Sequence, residues 1–440
     1  MAAKRKTRAK LLSGKLSPTQ IIALVFALII LVGTALLSLP AASRTGVSIG
    51  ILPALFTATS ATCVTGLVVG DTWTLFSGFG QIVILCLIEL GGLGFMSAAS
   101  VVIFMLRRKV SLRQRMVMAQ ALSVNEMEGV VRLQKWVLVG SLIIQSTGFA
   151  ILFSRFLPEY GWVRALQWGL FHAVSAFCNA GFDIFGSVAP GQSLIPFNND
   201  PVVLLTLMAL ITVGGLGFFV WEELVRVRSF KKCSVYTKLV LIATASIVLT
   251  GAALFLLLEW QNPQTLGNMP LWQKLLNSLF QAVTLRTAGF ASLNQALLTD
   301  GSKAVSLVIM LIGGSSGSTA GGLKTVTFVV LLLFILAKAR GKSTVHIFCR
   351  TIPESKAIDA MTIFFIMVGL AFAGSIVITA TSSVSFADGL FEAVSALATV
   401  GVTAGVTPVL GLAAKVLMIL FMYFGRVRCY AFQLKHCKCA

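Results

Sequence analysis

Four short stretches of this sequence share a pattern of residue types suited to holding a dehydrated ion. They read LFTATSATCVTGL at Leu55–Leu67, LFHAVSAFCNAGF at Leu170–Phe182, LFQAVTLRTAGF at Leu279–Phe290 and LFEAVSALATVGV at Leu390–Val402. Each opens with Leu-Phe, runs through small residues, most copies carrying several hydroxyls, and reaches one glycine near its end. These glycines are Gly66, Gly181, Gly289 and Gly401, separated by 115 (181 − 66), 108 (289 − 181) and 112 (401 − 289) residues. A cation leaving water needs its hydration oxygens replaced, and a ring of backbone carbonyls can replace them. Turning successive carbonyls to one side takes an unusual backbone, which glycine adopts because φ > 0 brings it no Cβ clash.

The expected lining of such a filter is Cys63, Val64, Thr65 and Gly66, then Cys178, Asn179, Ala180 and Gly181. The third copy supplies Arg286, Thr287, Ala288 and Gly289, and the fourth Ala398, Thr399, Val400 and Gly401. A short helix before each glycine would aim its partly negative C-terminal end at the pathway, which favours a cation. Potassium channels use two glycines per loop in identical copies. One glycine in each of four unlike copies implies fewer tight sites and weaker discrimination between potassium and sodium. Arg286 is the discordant residue, since its charge opposes a cation. We expect its side chain to turn behind the loop onto an acceptor or toward the outer water.

A second glycine pattern accompanies the first. Gly91-Gly92-Leu93-Gly94-Phe95 and Gly214-Gly215-Leu216-Gly217-Phe218 match almost letter for letter. The third copy becomes Gly313-Gly314-Ser315-Ser316-Gly317-Ser318-Thr319-Ala320-Gly321-Gly322-Leu323-Lys324. So many glycines and serines make a poor helix, so this crossing is expected to break near mid-membrane, as substrate-path helices of transporters do. Residues 313–322 read as a flexible constriction below the filter, with Lys324 either an electrostatic element beside it or paired with a carbonyl.

These pieces need a membrane to position them. The chain of 440 residues is 57% hydrophobic and 11% charged, which describes a polytopic membrane protein. A hydrocarbon core about 30 Å thick needs roughly 20 helical residues to cross, so each glycine stretch is too short to span. It must enter and return, lined by protein or water. The expected fold is an all-α membrane protein of four fused helix–pore-loop–helix repeats around one central pore, with eight transmembrane helices and four re-entrant pore helices. A basic N-terminus covers 1–18. The repeats cover 19–106 (helices 19–39, 50–61 and 79–106), 135–224 (135–156, 165–176 and 200–224), 238–338 (238–258, 272–285 and 304–338) and 358–427 (358–380, 387–397 and 411–427), with a tail at 428–440. The apolar run from Ile21 is read as a retained first helix rather than a signal peptide, because it is long and the rest of the chain is itself membrane-embedded. Lys and Arg number 23 in segments 1–17, 107–135, 225–238 and 338–356, against 7 on the opposite side. Both termini are therefore expected to be cytoplasmic and the glycine loops to enter from outside.

Other chemistry is poorly supported. The net charge of +20 is spread between apolar segments, which argues against nucleic acid. The three histidines are far apart, and the eight cysteines give no disulfide framework. Gly317 and Gly322-Leu323-Lys324-Thr325 miss the phosphate-loop pattern by one inserted leucine. Glu89, Glu222, Glu223 and Glu392 are too scattered for paired-carboxylate catalysis, and the chain is not expected to be an enzyme. A sodium-coupled secondary transporter of another small solute is the alternative, but such folds usually show two inverted halves, whereas these repeats run in one sense.

On these motifs, together with the Gly313–Lys324 loop and the Phe424-Gly425-Arg426 triplet, the sequence resembles the Ktr/Trk/HKT superfamily of potassium transporters, in particular the membrane subunits of bacterial Ktr systems. The resemblance covers nearly the whole chain. It implies potassium as substrate, a glycine-ring filter, the Gly/Ser loop as gate and Arg426 as the arginine that contacts that gate. It also implies a multi-pass protein in the bacterial plasma membrane, in contact with lipid, and a homodimer on a cytoplasmic KtrA-like regulatory ring. No cofactor is implied in this chain; the resemblance often goes with sodium-dependent uptake, and it places nucleotide on the regulatory partner. After Arg426 the sequence departs from the family pattern, continuing through Val427 and Arg428 into the short basic run CYAFQLKHCKCA.

Overall fold

A computed structural model describes residues 18–94, 129–341, 345–347 and 350–431. The basic segment 1–17, the end of the first repeat's expected second helix (95–106), residues 107–128 of the basic connection after it and the tail from 432 lie outside the described residues.

The described chain is helical. Its α-helices, numbered in order, begin with α1 Pro18–Leu37, α2 Ile51–Cys63, α3 Thr72–Leu75, α4 Gly78–Gly92 and α5 Val130–Phe177. There follow α6 Pro201–Leu216, α7 Phe218–Val227, α8 Val235–Glu259, α9 Leu271–Thr284, α10 Asp300–Leu311 and α11 Thr325–Ala339. A small antiparallel hairpin, β1 Val345–Ile347 and β2 Arg350–Ile352, precedes α12 Glu354–Thr381, α13 Phe386–Leu397 and α14 Leu412–Ala431. Four of these helices (α1, α5, α8 and α12) are long and apolar enough to cross a membrane, and α6 with α7 makes a fifth if taken as one bent span.

Local chemistry sets several boundaries. Asp200 caps α6, accepting from the backbone nitrogens of Val202 (3.0 Å) and Val203 (3.2 Å), with Pro201 at the first helical position. Ser234 and Ser385 cap α8 and α13 in the same way. The helices expected at 135–156 and 165–176 are the two arms of α5, which meet at a kink at Gly161 (φ 77°), just after Pro158. One expectation needs correction. The helix expected unbroken over 200–224 bends by 95° between α6 and α7. The bend falls at Gly217, whose φ of 95° is open to glycine and strained for other residues.

Packing runs in a closed order. In the first, third and fourth repeats the first helix lies on the short helix: α1 on α2, α8 on α9, α12 on α13. Between repeats, α4 packs on α5, α6 on α9, α10 on α13, and α14 returns to α2. Large apolar side chains such as Leu31, Leu257 and Phe365 are exposed on the outer faces, while Thr59, Ser60 and Thr62 are fully buried. Apolar side chains thus face outward as well as filling the interior, and the hydroxyls of α2 lie buried among them. Three glycines let the second helices close on the ends of the short ones: a Cβ on Gly91, Gly214 or Gly425 would strike the carbonyl of Thr62, Phe177 or Leu397.

Candidate functional site

Each short helix runs out just ahead of its glycine, and the backbone then alternates in hand. Val64, Asn179, Thr287 and Thr399, each two residues before a glycine, have φ of 57°, 59°, 64° and 52°. Gly66, Gly181, Gly289 and Gly401 have φ of 98°, 70°, 84° and 94°. The residues between them, Thr65, Ala180, Ala288 and Val400, are not left-handed. Alternation of this kind rotates successive peptide planes so that their carbonyls face one side rather than opposite sides.

The four loops meet at one place. A Cβ built on Gly66 would lie 2.5 Å from the carbonyl oxygen of Ala180, and one on Gly181 would lie 2.7 Å from that of Ala288. On Gly289 it would lie 2.9 Å from the oxygen of Val400, and on Gly401 it would overlap that of Thr65. The order 66, 181, 289, 401 and back to 66 closes a ring, with the carbonyl before each glycine facing the glycine of the preceding repeat. All of Cys63–Gly66, Cys178–Gly181, Thr287–Gly289 and Thr399–Gly401 are buried. The hydroxyls of Thr62, Thr65 and Thr399 have no partner among the described residues, which leaves them available to an ion or its water.

Not every lining side chain faces the ring. With its amide oriented so that the nitrogen donates, Asn179 reaches the carbonyls of Ile211 (3.2 Å) and Ala176 (3.1 Å). Cys178 donates to the Glu89 carboxylate at 3.3 Å, and the same carboxylate accepts from Gln145 at 3.1 Å. Scatter along the sequence gave Glu89 no role in catalysis and no sign of these partners. Its one signal is a lone acid inside an apolar run, which in a membrane must find partners. Arg286 is buried, and its Nη2 donates to the Thr325 hydroxyl at 3.4 Å while Nε has no protein partner.

The glycine-serine segment breaks the third repeat's second helix between α10 and α11. Its ends are pinned together: Gly313 nitrogen donates to the Leu323 carbonyl (2.8 Å), and Thr325 nitrogen to that of Gly314 (3.1 Å). Its middle is held by other repeats. Ser315 and Thr319 nitrogens donate to the carbonyls of Gly215 (3.0 Å) and Gly214 (3.3 Å), and Phe218 nitrogen donates to the carbonyl of Gly317 (2.8 Å). The GGLGF bend of the second repeat is therefore a docking edge for this loop. Tyr236 Oη donates to the Ser316 carbonyl (3.2 Å), Ser318 Oγ to that of Ser315 (2.7 Å), and Lys324 Nζ to that of Ala320 (2.8 Å).

The loop also touches the base of the ring. Thr319 Oγ1 donates to the Phe177 carbonyl (3.1 Å), and Gly321 nitrogen donates to Thr287 Oγ1 (3.2 Å). Gly321 packs against Thr399 and Gly322 against Gly313 so closely that neither has room for a side chain. Arg426, 1% exposed, bridges three repeats: Nη1 donates to the Thr319 carbonyl (2.5 Å) and Nη2 to that of Gly91 (2.6 Å). Among the described residues no group of three or more His, Cys, Asp or Glu side chains could hold a metal ion.

Comparison with known proteins agrees in kind. The family model described as TrkH, cation transport protein, matches residues 17–439. The potassium/sodium uptake protein NtpJ of Enterococcus hirae is 40% identical over 417 residues, covering 94% of this chain and 91% of that protein. The Ktr system potassium uptake protein B of Bacillus subtilis is 40% identical over 413 residues, with coverage of 94% and 91%. Among solved structures, the potassium transporter TrkH from Vibrio parahaemolyticus shares the fold with a TM-score of 0.70 at 17% identity, covering 95% of this chain and 84% of that one.

Proposed function

Because this chain belongs to the TrkH family of cation transport proteins, we propose that it takes up potassium across the bacterial plasma membrane as the membrane subunit of a Ktr-type system. The family is one of transporters, not enzymes. The observation that carries this reading is the closed ring in which the carbonyls of Thr65, Ala180, Ala288 and Val400 each face a glycine of the neighbouring repeat. Four inward carbonyls in a buried, hydroxyl-rich site can replace the water around a monovalent cation. No carboxylate belongs to the ring, so the field there is that of dipoles, which suits a monovalent ion better than a divalent one.

In this reading Cys63–Gly66, Cys178–Gly181, Thr287–Gly289 and Thr399–Gly401 form the filter through their backbone. Residues 313–322 with Lys324 and Arg426 form the gate, supported by the loop's contacts at the filter base and its bonds to the second repeat. Potassium would enter from the outer side, with both termini cytoplasmic. The gate would answer to a cytoplasmic nucleotide-binding ring on which a homodimer sits, and sodium would act as a second, coupled ion, a role that the potassium/sodium relative makes worth testing. Rubidium uptake into vesicles reconstituted with the full chain tests the reading. Saturable uptake suppressed by external potassium more strongly than by sodium is expected; uptake insensitive to potassium would overturn it.

A further inference from the structure

Behind each filter loop stands one hydroxyl residue, in the last turn or so of its short helix: Ser60, Ser175, Thr284 and Ser395, all 0% exposed. Their backbone carbonyls share one task. They accept from the nitrogens of Thr65 (2.8 Å), Ala180 (2.7 Å), Ala288 (2.9 Å) and Val400 (2.7 Å), which are the residues whose own carbonyls form the ring. Three of their hydroxyls then reach past the glycine. Ser175, Thr284 and Ser395 donate to the carbonyls of Phe182, Phe290 and Val402, each at 2.7 Å. Ser60 and Ser395 accept from the nitrogens of Gly66 and Gly401, each at 3.1 Å.

We propose that these four residues are positioning residues for ion selection, each fixing where its ring carbonyl points: Ser175, Thr284 and Ser395 hold the chain on both sides of the filter glycine, and Ser60 holds the two successive nitrogens of Thr65 and Gly66. The inference rests on the reading of the loops as a potassium filter. The arrangement persists although the third loop is one residue shorter, Thr284 standing 5 before Gly289 (289 − 284) where the others stand 6 before theirs (for example 401 − 395). It also persists with threonine in place of serine, so the shared feature is the hydroxyl and not the side-chain shape. Ser395 is the fullest case, with both a donated and an accepted bond.

The test compares Ser395→Ala with Ser395→Thr in reconstituted vesicles, reading rubidium uptake against potassium and sodium as competitors. Losing both side-chain bonds while keeping the backbone one is expected to lower the potassium-over-sodium preference roughly tenfold, each bond having a modest net worth. Ser395→Thr keeps a hydroxyl and should keep the preference. Ser60→Ala, which removes a single bond, should lower the preference about threefold and gives a measurable variant should Ser395→Ala not yield folded protein. Wild-type preference in either alanine variant, or a loss in Ser395→Thr as large as in Ser395→Ala, overturns the proposal. If the unmodified chain shows no potassium-sensitive uptake, it is the potassium reading that fails instead.

Discussion

Gly401 and Gly405 offer a controlled pair for testing the ring. Both are left-handed, with φ of 94° and 84°, so an alanine at either position incurs a similar backbone cost of about 1–3 kcal/mol. They differ in what a side chain would meet. Around Gly405 nothing lies within 4 Å, whereas a methyl on Gly401 would overlap the Thr65 carbonyl and approach the Gly66 Cα at 2.9 Å. The Thr65 oxygen must therefore shift from its place in the ring. A charge-assisted contact is worth about 1.5–3 kcal/mol, so weakening one of four costs on the order of 1.4 kcal/mol, or about tenfold in relative affinity. The two alanine variants should therefore separate. Gly405→Ala loses some thermal stability and keeps its potassium-over-sodium preference. Gly401→Ala loses roughly tenfold in that preference and more stability than Gly405→Ala, because the atom it overlaps belongs to the backbone. Competition of rubidium uptake by the two ions, beside a melting curve of each purified variant, measures both quantities. Equal preference in the two variants would refute the assignment of Thr65 to an ion-facing ring.

The gate reading predicts that Tyr236→Phe, which removes the bond to the Ser316 carbonyl, raises uptake about two- to fivefold without altering ion preference. Deletion of 313–321 should raise it further, and a folded deletion with unchanged or lower flux would reject the gate. Lys303 and Asp388 join α10 to α13 across 2.8 Å at the start of α13, clear of the spanning helices. Burial pushes the Asp388 carboxyl up, but the bonds from Lys303 and Ser385 outweigh it and hold the group below its ordinary value. A depressed carboxylate stabilises the fold above the ordinary range and loses that contribution as pH falls through its folded value. The melting midpoint should thus drop below about pH 4, and Asp388→Asn should flatten that part of the profile; a superimposable profile would reject the pair's contribution, which at this exposure is at most about 1 kcal/mol.

The ring was legible in the sequence because it depends on backbone freedom, and glycine advertises that freedom. Four glycines at near-equal spacing named the four loops, and the structure brings those glycines into mutual contact. The glycine-serine run was legible for the same reason. What the sequence concealed is contact between repeats. GGLGF at 214–218 read as part of an unbroken helix over 200–224; its sharp bend instead carries backbone bonds to the glycine-serine loop. Tyr236 carried no sign that it reaches Ser316, since that bond spans 80 positions. The hydroxyl clamps were visible as letters in the repeat, but a serine in a small-residue helix reads equally as packing.

Arg286 shows where sequence reasoning about charge needs coordinates. A cation beside a cation path could brace the loop or face outer water, and in the first case its removal would loosen the loop. The structure turns it inward, behind the loop, onto Thr325 at the start of α11, with one long bond of 3.4 Å and Nε unpartnered by protein. A bond of that length braces weakly, and a buried charge with so few partners adds little to stability compared with an apolar residue of similar size. Its larger effect is on the field along the proposed ion path. At an effective dielectric of about 20, two unit charges repel by roughly 1.7 kcal/mol even at about 10 Å, so relieving the repulsion of a buried cation on a passing ion is worth up to about tenfold. Arg286→Met is therefore expected to raise rubidium uptake by up to about an order of magnitude and to leave the melting midpoint unchanged or higher. Uptake that falls together with a lower midpoint would mean that the guanidinium is a brace after all, and that the electrostatic account of this residue is wrong.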